Sequence, residues 1–440
     1  MFRRVALAFS LGVQVTAGLN AQTRTAPSIP NTPAGTVVKA WYDAYGSGDT
    51  ARVTDFYRRY QPERVSQNTV QYRTELGGFD IVSIERTEPR RMEFVTRARK
   101  TPQTFYAIVQ LSGAEPPQIT SSYLIAMGPD ATVQNVQFDA PARAKVIEGA
   151  IALLDSFYVF PDVAKRMGDS LRARNARGAY DSYANAISFS VKLNEEVRDL
   201  SHDKHMGVQY SVNPLPPMPS TPRVPSPEDS ARMRARMEAM NCAFVKVEQL
   251  DGNVGYVKFN GFADVDFCGP TASAAMNFVA GSRALIIDLR DNGGGSPAMV
   301  AYVSSYLFST RTHLNDLWER RSGKTEEYWT RDVPGRTFGG EKPVYVLTSS
   351  RTFSGAEEFS YNLKSLKRAT IVGETTGGGA HPVSGHRIDD HFSMGVPFAR
   401  AINPITKTNW EGTGVEPDIK VPAADALATA QRLIREGVKQ

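Results

Sequence analysis

A chain of 440 residues, 41% hydrophobic and 22% charged, is long and apolar enough for two or three domains with real cores. Its formal net charge is +5, but acidic and basic residues are interspersed, and the basic clusters Arg86 to Lys100 and Arg232 to Arg236 lack the aromatic interleaving of a nucleic-acid platform. Nucleic acid is therefore not expected as a partner, and two cysteines with six scattered histidines give no metal-ligand spacing, so no metal or cofactor is implied.

Residues 1–21 read as a secretory signal peptide. Phe2-Arg3-Arg4 is a basic start, Val5 to Leu19 is mostly apolar, and Leu19-Asn20-Ala21 is a small-residue cleavage site before Gln22. The apolar run is short for a membrane span, although an uncleaved anchor is the alternative. With no other long uncharged apolar run, the expectation is export to the periplasm or the outside of a bacterium, with no membrane span after cleavage. In an oxidising space Cys242 and Cys268 either pair or remain two buried thiols; pairing would stabilise by roughly 3.5 kcal/mol.

Residues 22–33 form a Pro/Thr/Ala-rich linker. Residues 34–140 read as an α+β domain. Val37, Val38, Trp41 and Tyr45 share one helical face, Phe56, Tyr57 and Tyr60 a second, and four strand candidates follow from Phe79 to Met127. That order resembles the cone-shaped fold of nuclear-transport-factor-like and SnoaL-like domains. Residues 141–212 are helical in pattern, 213–240 hold a proline-dense loop and a short polar helix, and 241–440 alternate strand and helix as an α/β domain.

Two stretches of the last domain suggest chemistry. In SSRTFSGAEEF (349–359), Ser354 sits between the buried-type strand Pro343 to Leu347 and a helix carrying Phe359, Leu363 and Leu366 on one stripe. Strand, tight turn and helix with a hydroxyl at the turn is a way to expose a nucleophile. Alternatively Ser354 only caps the helix, with Glu357 completing a capping box. In ALIIDLRDNGGGSPAMVAYVSSYLF (284–308), Asn292 to Gly295 separate a strand from a helix. The glycines let a substrate approach backbone N–H groups that could receive an oxyanion. No Gly-Lys-Ser/Thr follows and the dinucleotide spacing is absent, which leaves a structural turn as the alternative.

Taken together, LIIDLRDNGGG, VYVLTSSRTFSGAEEF and LKRATIVGETTGGGAHP resemble the tail-specific, C-terminal-processing and tricorn superfamily of serine peptidases. YVFPDVA (158–164) and NPITKTNWEGTGVEPDI (403–419) bring the chain near the branch related to interphotoreceptor retinoid-binding protein. The resemblance implies a crotonase/ClpP-like β/α spiral catalytic domain after a helical subdomain, without a PDZ domain. It implies Ser354 as nucleophile and the amides of Gly355 and Gly294 as oxyanion hole, with Gly293 and Gly295 as near neighbours that contact substrate. Gly379 stands where one branch has a catalytic lysine, so the base falls on a histidine. The tricorn-like pattern points to His205 in LSHDKHMGVQYS, ahead of His202 and His381, and Lys204 stands where tricorn carries a further serine. His381 follows three glycines on an expected mobile loop and is assigned to substrate binding. Glu411 matches the family's late acidic residue and would orient His205 directly or through a neighbour. Asp288, Arg290 and Glu374 are read as structural. The implied activity is hydrolysis of peptide bonds in a peptide or protein substrate. An apolar-ligand-binding protein of the same fold, or a small-substrate esterase or amidase, is the alternative.

Overall fold

The computed structural model describes residues 27–62, 75–129, 131–217 and 226–437. The signal-peptide segment and the start of the linker lie outside the described residues. Among the described residues two compact units form, one from 27–60 and 75–124, the other from 61–62, 125–129, 131–217 and 226–437.

In the first unit, helix α1 (Pro33–Gly46) starts with Pro33 at its first turn, and the Thr32 hydroxyl accepts from the Gly35 N–H at 3.0 Å. Helix α2 (Thr50–Tyr60) follows. Strands β1 (Phe79–Glu88), β2 (Arg91–Ala98), β3 (Gln103–Leu111) and β4 (Ile119–Pro129) lie in sequence order in one sheet, and the division between units falls inside β4. Val37, Val38 and Tyr45 of α1 and Phe56 and Tyr60 of α2 pack with Phe79, Phe94 and Phe105, and Trp41 stacks on Phe79 at 4.9 Å.

The second unit begins with three helices, α3 (Ala140–Phe157), α4 (Pro161–Ala176) and α5 (Ala186–Ser201), followed by the short strand β5 (Gly207–Tyr210) and helix α6 (Pro227–Ala239). The remaining elements alternate: β6 (Phe244–Leu250), β7 (Val254–Phe259), α7 (Val265–Val279), β8 (Ala284–Asp288), α8 (Pro297–Ser305), β9 (His313–Glu319), β10 (Thr325–Trp329), β11 (Val344–Thr348), α9 (Gly355–Ser365) and β12 (Thr370–Gly373). The last are β13 (Val383–Arg387), β14 (Phe392–Pro397), β15 (Ala399–Ile402), β16 (Ile419–Lys420) and α10 (Ala426–Glu436).

A six-stranded sheet in the order β16-β12-β11-β8-β7-β6 is parallel except for the β6–β7 hairpin. Successive side chains on a strand face opposite ways, so Leu285 and Ile287 join the core that includes Met276, Val303 and Phe359, while Ala284 and Ile286 join Tyr345, Ala430 and Ile434 on the other face. Both faces are covered, which is why these strands read as unbroken apolar runs.

Two features of this topology position the site. Strands β8 and β11 are parallel neighbours, with Asp288 opposite Leu347, so the Gly-rich turn and the Ser354 turn leave the same edge of the sheet side by side. Strand β5 pairs with β14, Gly207 opposite Gly395, and this brings the segment just after α5 onto the α/β unit. Cys242 and Cys268 form a disulfide between the start of β6 and α7, across a separation of 26 residues. In the chain-entropy view that closure is worth about 3.5 kcal/mol.

Candidate active site

Ser354 has φ +53° and ψ −121°, a backbone conformation rare outside glycine, held because the surrounding turn leaves it no other. The Phe353 N–H donates to the Asn292 carbonyl at 3.0 Å, the Thr352 hydroxyl to the Leu289 carbonyl at 2.8 Å, and the Ser354 N–H to the Glu357 carboxylate at 2.8 Å. Ser354 and Glu357 form a capping box at the start of the following helix, and the Ser354 Oγ also lies 3.0 Å from His205 Nε2, a residue 149 positions earlier. His205 is mounted at the entrance to β5. Its own N–H donates to Asp203 Oδ1 at 3.0 Å, and its ring packs on Phe353 with centroids 4.7 Å apart. Gly379 lies against both rings, where a Cβ would meet Phe353 Cζ at 2.3 Å and His205 Cε1 at 2.7 Å.

The sequence matches peptidase family S41 over residues 253–421, and over residues 137–248 it matches the N-terminal domain of peptidase S41 in eukaryotic interphotoreceptor retinoid-binding protein. The chain belongs to peptidase family S41. It is 27% identical over 192 residues to the tricorn protease of Thermoplasma volcanium, covering 43% of this chain and 17% of that protein. It is 28% identical over 173 residues to the chloroplastic carboxyl-terminal-processing peptidase 2 of Arabidopsis thaliana, covering 38% of this chain and 32% of the relative. The chain thus spans well under half the length of these curated relatives. Among solved structures, the photosystem II D1 C-terminal processing protease aligns with TM-score 0.40 and 16% identity, over 64% of this chain and 93% of the other. The tricorn protease aligns with TM-score 0.43 and 13% identity, over 81% and 41%.

Three expected roles in this S41 chain need correction. Gly294 was expected to supply an oxyanion-hole amide, but its N–H donates to Asn292 Oδ1 at 2.8 Å. Its φ is +97°, and a Cβ there would lie 2.6 Å from the Gly355 nitrogen, so Gly294 lets the two turns touch. The amides with no protein acceptor among the described residues are those of Gly295 and Gly355; a Cβ on Gly355 would lie 3.0 Å from the Gly295 nitrogen. Gly293, expected to contact substrate, is exposed, its N–H bonds the Asn260 carbonyl at 3.3 Å, and it does not line the cavity in front of Ser354.

His381 was expected on a mobile loop touching substrate. It is buried, 4% exposed, with Nδ1 2.7 Å from Asp203 Oδ2 and 3.4 Å from Glu411 Oε2. The glycines before it pack rather than flex: the N–H groups of Gly378 and Gly379 donate to Glu357 at 2.6 and 2.8 Å, and Lys204 Nζ donates to the Gly377 carbonyl at 2.5 Å. His202 ends α5 with φ +57° and is exposed.

Glu411, expected to orient His205, reaches His381 instead, and the buried His205 Nδ1 has no hydrogen-bond partner among the described residues. The Glu411 Oε2 accepts from the Ala380 N–H at 2.5 Å, and ligand atoms of Asp203, His205 and Glu411 fall within 4.8 Å of one another. Burial, reinforced by the nearby Asp203 charge, pushes the Glu411 carboxyl up to about 7, while burial holds the His205 imidazole below its ordinary value. Tyr158 of the YVFPDVA stretch is buried close to both carboxylates, and Phe160 packs edge-on to His381, which explains why that motif accompanies the site.

Sequence reasoning passed over Asp203, whose signal was its place two residues before His205. It also passed over the full role of Glu357, a buried carboxylate accepting from Ser354, Gly378 and Gly379 N–H groups and from the Thr376 hydroxyl at 2.5 Å. Asp288 bonds Arg290 and the Tyr256 hydroxyl, and Glu374 accepts from Ser350 and Ala423 N–H groups, both away from the reacting atoms.

Proposed function

We propose that the chain is an exported serine peptidase that hydrolyses peptide bonds through an acyl-enzyme on Ser354. The observation that carries this is the 3.0 Å approach of His205 Nε2 to Ser354 Oγ, within general-base reach, at a strained turn facing a cavity. Ser354 Oγ attacks the scissile carbonyl carbon as its proton passes to His205 Nε2. The amides of Gly295 and Gly355 receive the oxyanion. Collapse breaks the C–N bond, with the proton handed from Nε2 to the departing amine. Water, deprotonated by the same nitrogen, then releases the acyl group and restores the hydroxyl. Asp203 and Glu411 favour the imidazolium that forms at each transfer. The Cys242–Cys268 disulfide supports an oxidising compartment, in keeping with the signal-like start of the chain.

The direct test is a fluorophosphonate probe followed by peptide mapping. Adduct on Ser354 together with hydrolysis of a peptide library is the expected result. An unlabelled Ser354 in folded protein would overturn the reading and favour a ligand-binding protein of the same fold.

The pH profile is a second expectation. His205 must be neutral to act as base, and burial already lowers its proton affinity, so at neutral pH it is free base. Glu411 is protonated below about 7 and ionised above it, and only the carboxylate stabilises the imidazolium. The kcat/KM profile should therefore climb as pH rises through about 7. In Glu411→Gln the rate should be lower and this limb lost; an unchanged limb would assign it to another group.

A further inference from the structure

The cavity in front of Ser354 measures about 860 Å³. Its walls carry three carboxylates, Glu319, Glu326 and Glu358, against one lysine, Lys324, with Leu317 and Tyr328 as apolar surface. Glu358 stands apart from the other two acids, being only 4% exposed, and its Oε1 has no hydrogen-bond partner. A buried carboxyl oxygen left unpaired is costly, so its presence in a cavity wall calls for an occupant that satisfies it. We propose that this cavity is the subsite for the residue on the acyl side of the scissile bond, and that Glu358 makes it select a long cationic side chain, lysine or arginine. The proposal rests on the peptidase reading above and names its substrate class.

Geometry sets the length of the side chain. Glu358 follows Ser354 by four residues, and its N–H bonds the Ser354 carbonyl at 2.9 Å, so it lies in the first turn of α9, about one helical turn from the nucleophile. One turn is about 5–6 Å, the reach of a four-carbon or guanidino stem whose carbonyl lies at the Ser354 hydroxyl and the Gly355 amide. Short side chains would stop before it. Tyr328 and Leu317 offer apolar surface to the stem, as lysine and arginine stems require when only their heads are polar. Burial lifts the Glu358 carboxyl to about 8 against the neighbouring Asn315 side chain, which lowers it, so a resident cation would also bring it back to its ionised form. Without one, Glu358 stays a buried neutral acid in the cavity wall.

The test separates the subsite from the chemistry. Benzamidine, an apolar ring bearing an amidinium, is titrated by calorimetry into Ser354→Ala protein and into the same protein carrying Glu358→Gln. In parallel the wild type is assayed on peptides differing only in arginine, leucine or glutamate on the acyl side. Benzamidine should bind, with affinity falling about tenfold to a hundredfold on Glu358→Gln, and the arginine peptide should lead in kcat/KM by a similar factor. Glu358→Leu keeps the volume without the polar atoms and should invert the preference toward leucine, which covers a glutamine variant that folds poorly. Equal benzamidine binding with and without Glu358, or a wild type that cleaves the leucine peptide as well as the arginine one, overturns the subsite and leaves the peptidase standing. Glu358-dependent benzamidine binding with no peptide cleaved supports the subsite and removes the peptidase reading.

Discussion

Ser354→Ala is expected to lower kcat for peptide hydrolysis by about 10⁴-fold or more, leaving only weak catalysis from binding and the oxyanion amides. The Ser354 hydroxyl meets His205 Nε2 and takes part in the α9 capping box, but the turn has other ties. That turn is fixed through the Ser354 N–H on Glu357, the Phe353 N–H on Asn292 and the Thr352 hydroxyl on Leu289, all retained in the variant. Alanine also carries the same Cβ into the positive-φ position, so no new backbone strain enters. The thermal midpoint should therefore stay near that of the wild type while activity vanishes. Near wild-type turnover in a folded variant would exclude Ser354 as nucleophile.

His205→Ala is expected to cost nearly as much as the serine variant, and the double variant should be no worse than either alone, because the two groups act as one unit. Additive losses would contradict a shared proton transfer. His381→Ala should behave differently. The ring is buried against Asp203 and Glu411, and deleting it leaves two carboxylates close together with their shared partner gone. The result should be a lower kcat and a lower thermal midpoint, with KM little changed. A rise in KM alone would return His381 to the substrate-contacting role that its three preceding glycines suggested.

That misreading of His381 shows where the sequence runs out. Gly377 to Gly379 look like a flexible loop when counted as glycines. In the fold they are the positions where backbone N–H groups reach Glu357 and where side chains would strike Phe353 and His205. The turn that carries Ser354 was legible because strand, serine, glycine and helical stripe are local patterns. The choice between Gly294 and Gly295 was not, since it turns on whether the Asn292 side chain occupies one amide. Glu357 was visible as half of a capping box, yet three of its four donors come from the chain around Thr376 to Gly379 and from no periodicity. His205 could be singled out only by family pattern, because what delivers it is the pairing of β5 with β14, nearly two hundred residues on.

On the proposed mechanism, that strand pairing leaves the chain latent until it is finished. Nucleophile and oxyanion amides are complete once β8 and β11 lie side by side, but the base arrives only when β5 docks on β14. A nascent chain that has emerged through Ser354 but not yet through Pro397 holds an ordinary alcohol at the turn, with nothing mounted to take its proton. On the proposed mechanism, peptide-bond cleavage is thereby a late property of folding, acquired only when the most distant pairing is made.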